Sequence, residues 1–470
     1  MKLFWANITA LLLGISPSLW AAPLAPSHSQ AAWLVADANT GAIEAEHNAD
    51  LLLKPASTQK LLTTLAGALA LGPEWHYQTQ LYYRGQLQNG QLNGDLLIDF
   101  VGDPSFSREQ LRDLLAHSGV KKITGNLYLN QAHFSGYDRG NGWSWNDLSV
   151  CYTAPVSAMI LDHNCVQGAL YAHLGKPGRA TVPAHQPITV SAQVKVLDSA
   201  SQKRSFCSLD VAMSSPNQYH LSGCITPRKE PWPLRFAIQD VSAWGQDLSR
   251  WALAQAGMTL NGEIKDARLK LDDWQGLASH HSPPLSTLSQ TILQDSDNLY
   301  TDSLMRTLGA LHFKQAGSFA NGTAAVREIL LEEAHLDLGP SWLADGSGLS
   351  AHNLVRATDL LNALLIIAQD PRAQWLKPLL PVSGESGTLR YRKSVQDPSF
   401  KGKIQAKTGT IAHVQNLAGF IDTPSGTKAF VLLQNGLSLS PDAEQALSAN
   451  QGEWPAKQFE RAWLSALLQP

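Results

Sequence analysis

The stretch Pro55-Ala56-Ser57-Thr58-Gln59-Lys60-Leu61-Leu62 begins a predicted helix that runs to about Leu71. Proline suits the first turn of a helix, and Gly72-Pro73 ends the pattern. The leucines that follow Lys60 recur at helical spacing, so one face of the helix is predicted to pack against a core. Lys60 is therefore expected at a partly buried edge of that core.

Ser57 and Lys60 are three residues apart, which places both side chains on one face of the helix. A serine hydroxyl is a poor nucleophile until a base takes its proton. A lysine amine can be that base when burial or a nearby positive charge lowers its pKa. The spacing alone is a weak signal, because Ser118–Lys121 and Ser425–Lys428 share it. Those two fall at a predicted helix stop and in a predicted turn, without the helical geometry.

The segment Lys407-Thr408-Gly409-Thr410 lies on a predicted strand and contains the only Lys-Thr-Gly of the sequence. Such a strand can line a groove, because the ammonium attracts a carboxylate, the threonine donates a hydrogen bond and the glycine leaves room for a backbone. If the motif stood alone, an ordinary β-turn would be the better interpretation.

The segment Ser296-Asp297-Asn298 begins another predicted helix. Ser-x-Asn also occurs at Ser144, Ser215 and Ser448, so the pattern by itself says little. Only Ser296 lies on a helix between the other two motifs. A plain helix N-cap is the alternative, because all the residues here suit that position.

A Ser-x-x-Lys helix, a Ser-Asp-Asn and a Lys-Thr-Gly strand, in that order, are the signature of penicillin-binding proteins and class A β-lactamases. The chain resembles a low-molecular-mass (class C) penicillin-binding protein of the D-alanyl-D-alanine carboxypeptidase/endopeptidase type, in which a large insertion separates the first two motifs. This resemblance implies an α/β (α+β) penicillin-binding transpeptidase/β-lactamase-like domain with a large β-rich insertion. It runs from about Ala31 to the C-terminus and includes three more stretches that the family shows, Gly102-Asp103-Pro104, Asp345-Gly346-Ser347-Gly348-Leu349-Ser350 and Gly387-Thr388-Leu389-Arg390-Tyr391-Arg392.

The resemblance implies a serine DD-peptidase mechanism. Ser57 would attack the carbonyl between two terminal D-alanines, and Lys60 would take its proton. The backbone amides of Ser57 and Thr410 would hold the oxyanion. Ser296 would relay a proton to the leaving amine, and Asn298 would orient the substrate amide.

The resemblance also implies the binding residues. Lys407 and Thr408 would bind the terminal carboxylate or its counterpart in penicillin, and by family analogy Asp162 and Arg392 bind the diaminopimelate side chain of the peptide. Peptidoglycan peptides and β-lactam antibiotics are the expected ligands, with neither cofactor nor metal. The sequence does not separate carboxypeptidase from endopeptidase action on crosslinks, nor a monomer from a homodimer.

The predicted elements divide the chain into three parts. Residues 22–81 and 283–470 are assigned to one discontinuous catalytic domain, whose sheet takes strands from both ends of the chain. Residues 82–282, where strand-like alternation dominates, are assigned to an inserted β-rich region of two subdomains. The predicted catalytic-domain strands are Ala32–Asp37, Ala42–Glu46, Lys403–Ile411, Gln415–Asp422 and Lys428–Gln434, and the helices after the insertion are Leu285–Leu293, Ser296–Gly309, Ala324–Leu331, Ala357–Ala368 and Pro455–Leu468.

All four cysteines lie in the insertion, and the predicted disulfides are Cys151–Cys165 and Cys207–Cys224. A symmetric hairpin about the turn 214–217 places Cys207 opposite Cys224, with Cα atoms about 4.5 to 5.5 Å apart. A zinc site is the competing use, but the sequence has no CxxC, and disulfides suit an oxidising compartment.

The first residues are typical of a secretory signal peptide. Lys2 precedes the apolar run 11–15, and the small residues at 21–22 predict cleavage near Ala21. The run is too short to span a bilayer. We therefore expect an exported, periplasmic protein, while peripheral membrane attachment stays open.

The composition is that of a globular protein, and it argues against nucleic-acid binding. The chain has 470 residues, with 36 Lys+Arg against 39 Asp+Glu and a formal net charge of -3. Nucleic-acid binding relies on clustered Lys and Arg, and the sequence has no such cluster.

Two other functions compete with a DD-peptidase. A class A β-lactamase needs a glutamate to activate the deacylating water, and we interpret Glu333 as the solvated end of a helix instead. A non-catalytic periplasmic binding protein with the same fold is the other alternative. We interpret His280-His281 as a linker, and Trp143 and Trp145 as core or loop residues and not as a sugar platform.

Overall fold

The computed structural model describes Pro23, residues 25–448 and residues 453–469. The predicted signal peptide, with its cleavage site near Ala21, lies outside these residues. Among the helices that the structure describes, none has both the length and the hydrophobicity needed to cross a membrane.

The described residues form mixed α and β structure in several sheets. In chain order the strands are β1 (Gln30–Asp37), β2 (Ile43–His47), β3 (Gln78–Gln88), β4 (Gln91–Asp99), β5 (Lys122–Ile123), β6 (Leu127–Asn130), β7 (Cys165–Tyr171), β8 (Arg179–Thr181), β9 (Thr189–Ala192), β10 (Lys195–Val196), β11 (Leu209–Ser214), β12 (Gln218–Ile225), β13 (Trp232–Ala237), β14 (Thr259–Leu260), β15 (Ile264–Ala267), β16 (Gln275–His281), β17 (Ile404–Ile411), β18 (Val414–Thr423) and β19 (Gly426–Asn435). The α-helices are α1 (Lys60–Leu71), α2 (Arg108–His117), α3 (Ser199–Arg204), α4 (Val241–Gln255), α5 (Leu285–Gln294), α6 (Asn298–Phe313), α7 (Phe319–Ala334), α8 (Ala357–Gln369), α9 (Pro441–Ser448) and α10 (Pro455–Leu467).

Both ends of the chain build one antiparallel sheet, as predicted. Its strand order is β17-β18-β19-β1-β2. Side chains alternate along a strand, so successive residues of β19 enter different cores. Val431 and Leu433 join the core that contains α1 and α8, and Phe430 and Leu432 join the core that contains α10. The sheet therefore lies between helices on both faces, and the predicted α+β fold class is confirmed.

The middle of the chain has its own sheets and cores. A seven-stranded sheet contains β3 to β6 and β14 to β16, and its core includes apolar side chains of α2 and α4. A separate core lies between the small sheets that contain β7 and β12. These separate cores support our proposed division into a split catalytic domain and an insertion of two parts.

Two elements of the insertion differ from the prediction. Helix α4 was not predicted, although Trp244, Leu248 and Ala252 are buried at helical spacing and Asp240 caps its N-terminus. His280 and His281 are not a linker, because they belong to β16 and pair with Thr79 and Gln78 of β3. In both places, short polar stretches separate the apolar residues, so the sequence pattern did not indicate a helix or a strand.

The structure contains both predicted disulfides, Cys151–Cys165 and Cys207–Cys224. The register that predicted the second pair is wrong by one residue. Leu209 pairs with Gly223, so Cys207 precedes β11 and is not directly opposite Cys224. The loop between the strands spans residues 215–217, where the buried Asn217 side chain bonds to the backbone of Gln239 and Asp240. Because this tertiary anchor sets the turn, a symmetric hairpin does not form.

Candidate active site

Ser57 lies in a single 3₁₀ turn, Ala56–Gln59, that leads into α1. The predicted helix from Pro55 thus begins with a tighter turn, and its α-helical part starts at Lys60. Thr58, Gln59 and Lys60 are fully buried, whereas Ser57 is half-buried and lines a cleft. The turn therefore holds its backbone in the core and presents the serine hydroxyl to the solvent side.

The buried Lys60 amine contacts three oxygen atoms. Its Nζ lies 3.1 Å from Ser57 Oγ, 2.7 Å from Asn298 Oδ1 and 2.7 Å from the carbonyl oxygen of Ser347. Two of these partners are amide oxygens, which only accept hydrogen bonds. Ser57 is thus the only one of the three that can give a proton to the amine.

Burial lowers the pKa of Lys60 to about 8. Three carboxylates, those of Asp302, Asp345 and Asp297, oppose this shift. Burial likewise raises the pKa of Asp302 to about 8. The Lys60 amine can therefore lose and regain its proton near neutral pH.

The turn 345–350 holds the Ser347 carbonyl against Lys60. Asp302 of α6 accepts hydrogen bonds from the backbone N–H groups of Gly346 (2.7 Å) and Ser347 (2.9 Å). Asp345 accepts from the backbone N–H groups of Gly348 and Ser350, each within 2.8 Å. The aspartates of this buried turn thus fix the backbone that positions the lysine.

Ser296 and Asn298 lie at the start of α6, and neither caps the helix. Asp297 is the N-cap and accepts from the backbone N–H of Tyr300 at 3.0 Å. The hydroxyl of Ser296 accepts from Lys407 Nζ at 2.8 Å, and Asn298 Nδ2 donates to the Tyr152 carbonyl at 2.9 Å. Because Asp297 takes the capping role, the flanking side chains can face the cleft.

Strand β17 brings Lys407 to the same place. Gly409 passes so close to the Ser57 turn that a Cβ there would lie 2.7 Å from the Pro55 carbonyl oxygen, which explains the glycine. Burial, and then the charges of Lys60 and Arg392, hold the pKa of the Lys407 amine well below its usual range. The hydroxyl of Thr408 donates to that of Thr388, and Thr410 is exposed.

A cleft of about 470 Å³ opens at Ser57, and the buried Lys60 and Lys407 lie behind its lining. Ser57, Ser296, Asn298 and Thr410 line it, together with Tyr152 and others. We call this space the Ser57 cleft. The structure therefore brings the three sequence motifs, which are far apart in the chain, to one surface.

Comparison with known proteins agrees with this arrangement. The sequence profile of the D-Ala-D-Ala carboxypeptidase 3 (S13) family matches residues 21–458. The chain belongs to this family. It is 38% identical to the D-alanyl-D-alanine carboxypeptidase DacB of Haemophilus influenzae over 442 residues, which cover 93% of this chain and 90% of that protein. The predicted resemblance to low-molecular-mass penicillin-binding proteins is thereby confirmed.

Solved structures of S13-type proteins have the same fold. The crystal structure of penicillin binding protein 4 (dacB) from Haemophilus influenzae superposes with a TM-score of 0.86 at 37% identity, covering 95% of this chain and 98% of that one. The same protein complexed with a novel β-lactam superposes with a TM-score of 0.82 at 34% identity, again over 95% and 98% of the two chains.

Two site residues expected for this S13 chain have other partners. The carboxylate of Asp162 accepts from the backbone N–H of Arg108 at 3.0 Å and from its Nε, and it lines a neighbouring cleft. The guanidinium of Arg392 is buried in an ion pair with Glu460 of α10. Arg392 is therefore largely enclosed and ion-paired, and its role in binding diaminopimelate stays a prediction.

Sequence reasoning missed the two ionisable side chains that the insertion contributes to the Ser57 cleft. Asp147 and Tyr152 line it from the insertion. Burial and a hydrogen bond to Asp147 raise the pKa of Tyr152. Asp147 follows Trp145 in the tryptophan-rich loop, and no motif marks it, so only the folded insertion shows that it reaches the cleft.

The remaining candidates lie elsewhere. Glu333, the residue considered as a β-lactamase glutamate, forms a surface ion pair with Arg372 at 2.8 Å. Trp143 is buried and donates to Asp345 at 2.8 Å, whereas Trp145 is exposed. Among the described residues, His312, Glu328 and Glu332 could together hold a metal ion, but none of them lines the Ser57 cleft.

Proposed function

We propose that this S13-family protein is a serine DD-peptidase of peptidoglycan that forms an acyl-enzyme on Ser57. The observation that carries the proposal is the Lys60 amine, 3.1 Å from Ser57 Oγ with its other two contacts on amide oxygens. The names of the relatives, D-alanyl-D-alanine carboxypeptidase and penicillin binding protein, support the substrate and the β-lactam ligands. We also propose that the protein is exported to the periplasm, where peptidoglycan lies.

The first step is removal of the Ser57 proton. A neutral amine has two N–H groups and one lone pair. The N–H groups donate to Asn298 Oδ1 and the Ser347 carbonyl, so the lone pair is left for the Ser57 hydroxyl. Lys60 takes the proton as Ser57 Oγ bonds to the substrate carbonyl carbon, and the resulting oxyanion is held by the backbone amides of Ser57 and Thr410.

The second step is departure of the leaving amine. The C–N bond breaks, the carbonyl re-forms as an ester on Ser57, and the amine needs a proton. Ser296 can supply it, because its oxygen accepts from Lys407 Nζ and its hydroxyl hydrogen is left to donate. Lys60 then passes the proton that it took from Ser57 to the Ser296 oxygen, so both groups regain their starting protonation. Water hydrolyses the ester and frees Ser57.

Residues on two sides of Ser57 are proposed to bind the substrate. Lys407 and Thr408 bind the terminal carboxylate of the substrate. We propose Asp147 as the acidic group that meets a positive charge of the peptide inside the Ser57 cleft. Asp162 lies in the neighbouring cleft and would meet the peptide there through its Arg108-bound carboxylate.

The test is to give the purified protein an uncrosslinked pentapeptide muropeptide and a crosslinked muropeptide dimer. Release of D-alanine from the first measures carboxypeptidase action, and conversion of the second to monomers measures endopeptidase action. We expect at least one of these reactions, and its loss in Ser57→Ala. If neither substrate reacts, or if Ser57→Ala is as active as the wild type, the proposal is wrong.

A further inference from the structure

A larger cleft opens beside the Ser57 cleft. Its volume is about 980 Å³, against about 470 Å³ for its neighbour. Tyr152, Ser296 and Asn298 line both spaces. The two clefts therefore meet at the motif that begins α6, and we call the larger one the second cleft.

We propose that the second cleft binds the leaving-group side of the substrate, as a peptide strand that carries both amine and carboxylate groups. The inference rests on the proposed function, because it takes Ser296 as the proton donor to the leaving amine. A group that leaves past Ser296 enters the second cleft. Spaces of roughly 300 to 1,000 Å³ hold ligands of drug size, so a single D-alanine leaves most of this one empty and a peptide fills it.

The back of the second cleft is a fixed polar wall. The Arg108 side chain is only 6% exposed. Its Nη2 donates to Gln186 Oε1 at 2.7 Å, its Nε donates to Asp162, and its guanidinium lies 5.8 Å from the Trp251 ring centroid. Because Gln186, Asp162 and Trp251 all contact this arginine, its side chain is fixed and this wall of the cleft keeps its shape without a ligand.

The wall includes a strained turn. Asp162, His163 and Asn164 have φ values of 51°, 59° and 47°, in the left-handed region that non-glycine residues avoid. Such conformations persist only where the surroundings enforce them, and they cluster at functional sites. Here the buried Asn164 amide bonds to the Pro155 carbonyl at 3.0 Å, and the next residue, Cys165, is in a disulfide.

The rim of the second cleft carries charges of both signs. Arg235 and Gln167 are paired neighbours on β13 and β7, and both are exposed. Within the described part of the chain, neither side chain has a hydrogen-bond partner or an ion pair. Glu109 and Asp295 line the same cleft with negative charge. A ligand with both carboxylate and amine groups matches this rim, whereas a purely acidic or basic one does not.

The test compares two substrates on the same variants. For Arg235→Ala we expect kcat/KM for the crosslinked muropeptide dimer, divided by kcat/KM for the pentapeptide monomer, to fall about tenfold, because a charge-assisted hydrogen bond is lost only with the dimer. Gln167→Ala lowers the same ratio by a smaller factor. Arg250→Ala is the matched control, an arginine whose side chain is 58% exposed on α4, outside both clefts.

A ratio for Arg235→Ala and Gln167→Ala that stays within about twofold of wild type, or that falls equally in Arg250→Ala, overturns the proposal. Thermal unfolding of each variant checks that its fold is intact, and a variant that does not fold is replaced by Arg235→Gln. Failure of the proposed function is distinct, because the wild type would then hydrolyse neither substrate.

Discussion

Lys60 and Lys407 are both fully buried, yet the charged groups around them differ. Lys60 has three carboxylates near it, those of Asp302, Asp345 and Asp297, which counteract the effect of burial. The charges that shift Lys407 are the cations Lys60 and Arg392, which add to the effect of burial. The charges that shift the pKa of Lys60 are anionic, whereas those that shift the pKa of Lys407 are all cationic.

This difference separates two tasks. With a pKa of about 8, Lys60 exchanges a proton near neutral pH, as a base for Ser57 must. Lys407 gains an anionic partner when a substrate carboxylate arrives, and this raises its pKa. In the proposed mechanism, Lys60 therefore serves the chemistry and Lys407 serves binding, and the predictions that follow test this assignment.

The largest expected effect follows from Lys60→Met. Without the base, acylation of Ser57 by penicillin should slow about a thousandfold, measured as the second-order rate of labelling by a fluorescent penicillin. Lys121→Met is the matched control, because Lys121 belongs to the other Ser-x-x-Lys pattern and is exposed. Labelling of Lys60→Met at the wild-type rate would show that another group takes the proton.

Lys407→Met should lower kcat/KM for a D-Ala-D-Ala peptide about a hundredfold, because a buried charge-assisted hydrogen bond to the carboxylate is lost. A peptide with a C-terminal amide distinguishes binding from chemistry. The wild type should lose activity on the amide, and Lys407→Met should lose little more, as expected of a coupled pair. Independent losses from the two changes would argue against the binding role.

The pH dependence should report Lys60. Below its pKa of about 8 the base is protonated, so the acylation rate should rise about tenfold per pH unit from pH 6 and level off above pH 8. Because Lys60 and Asp302 interact, the observed midpoint belongs to the pair. A rate that is flat between pH 6 and pH 8 would exclude Lys60 as the titrating base.

The smallest effect is expected for Asp302→Asn. Its charge raises the pKa of Lys60, so its removal should move the rising limb of the pH profile to lower pH by about one unit. The asparagine oxygen can still accept from Gly346 and Ser347. Asp113→Asn, an exposed aspartate, is the control and should leave the midpoint in place. An unshifted midpoint in Asp302→Asn would mean that Asp302 is neutral beside Lys60.

The sequence predicted best those features that depend on a short local pattern or on the order of the motifs along the chain. The predicted strands Ala32–Asp37 and Lys428–Gln434 match β1 and β19 within two residues at each end, and helical spacing predicted α5 and α8 within one residue. The motif order also predicted that Ser57, Ser296 and Lys407 lie together, and the structure places them in contact with Lys60 or with each other. These features depend on short stretches of chain whose physical pattern is strong.

Features set by tertiary contacts were not predictable. The register of β11 and β12 depends on the buried Asn217 and its bonds to Asp240. Arg392 reads as a surface cation in the sequence, but α10 supplies Glu460 from far along the chain and buries it. Asp147 lines the Ser57 cleft together with Tyr152, whose carbonyl accepts a hydrogen bond from Asn298 of α6, a contact far apart in the sequence.

The central claim is that Ser57 is the nucleophile, and one measurement tests it directly. Wild-type protein and Ser57→Ala are mixed with benzylpenicillin, and intact mass and peptide mapping locate any adduct. We predict one penicilloyl group on the peptide that contains Ser57 in the wild type, and no adduct in Ser57→Ala. An undiminished adduct in Ser57→Ala, or no adduct on the wild type, would contradict the serine mechanism.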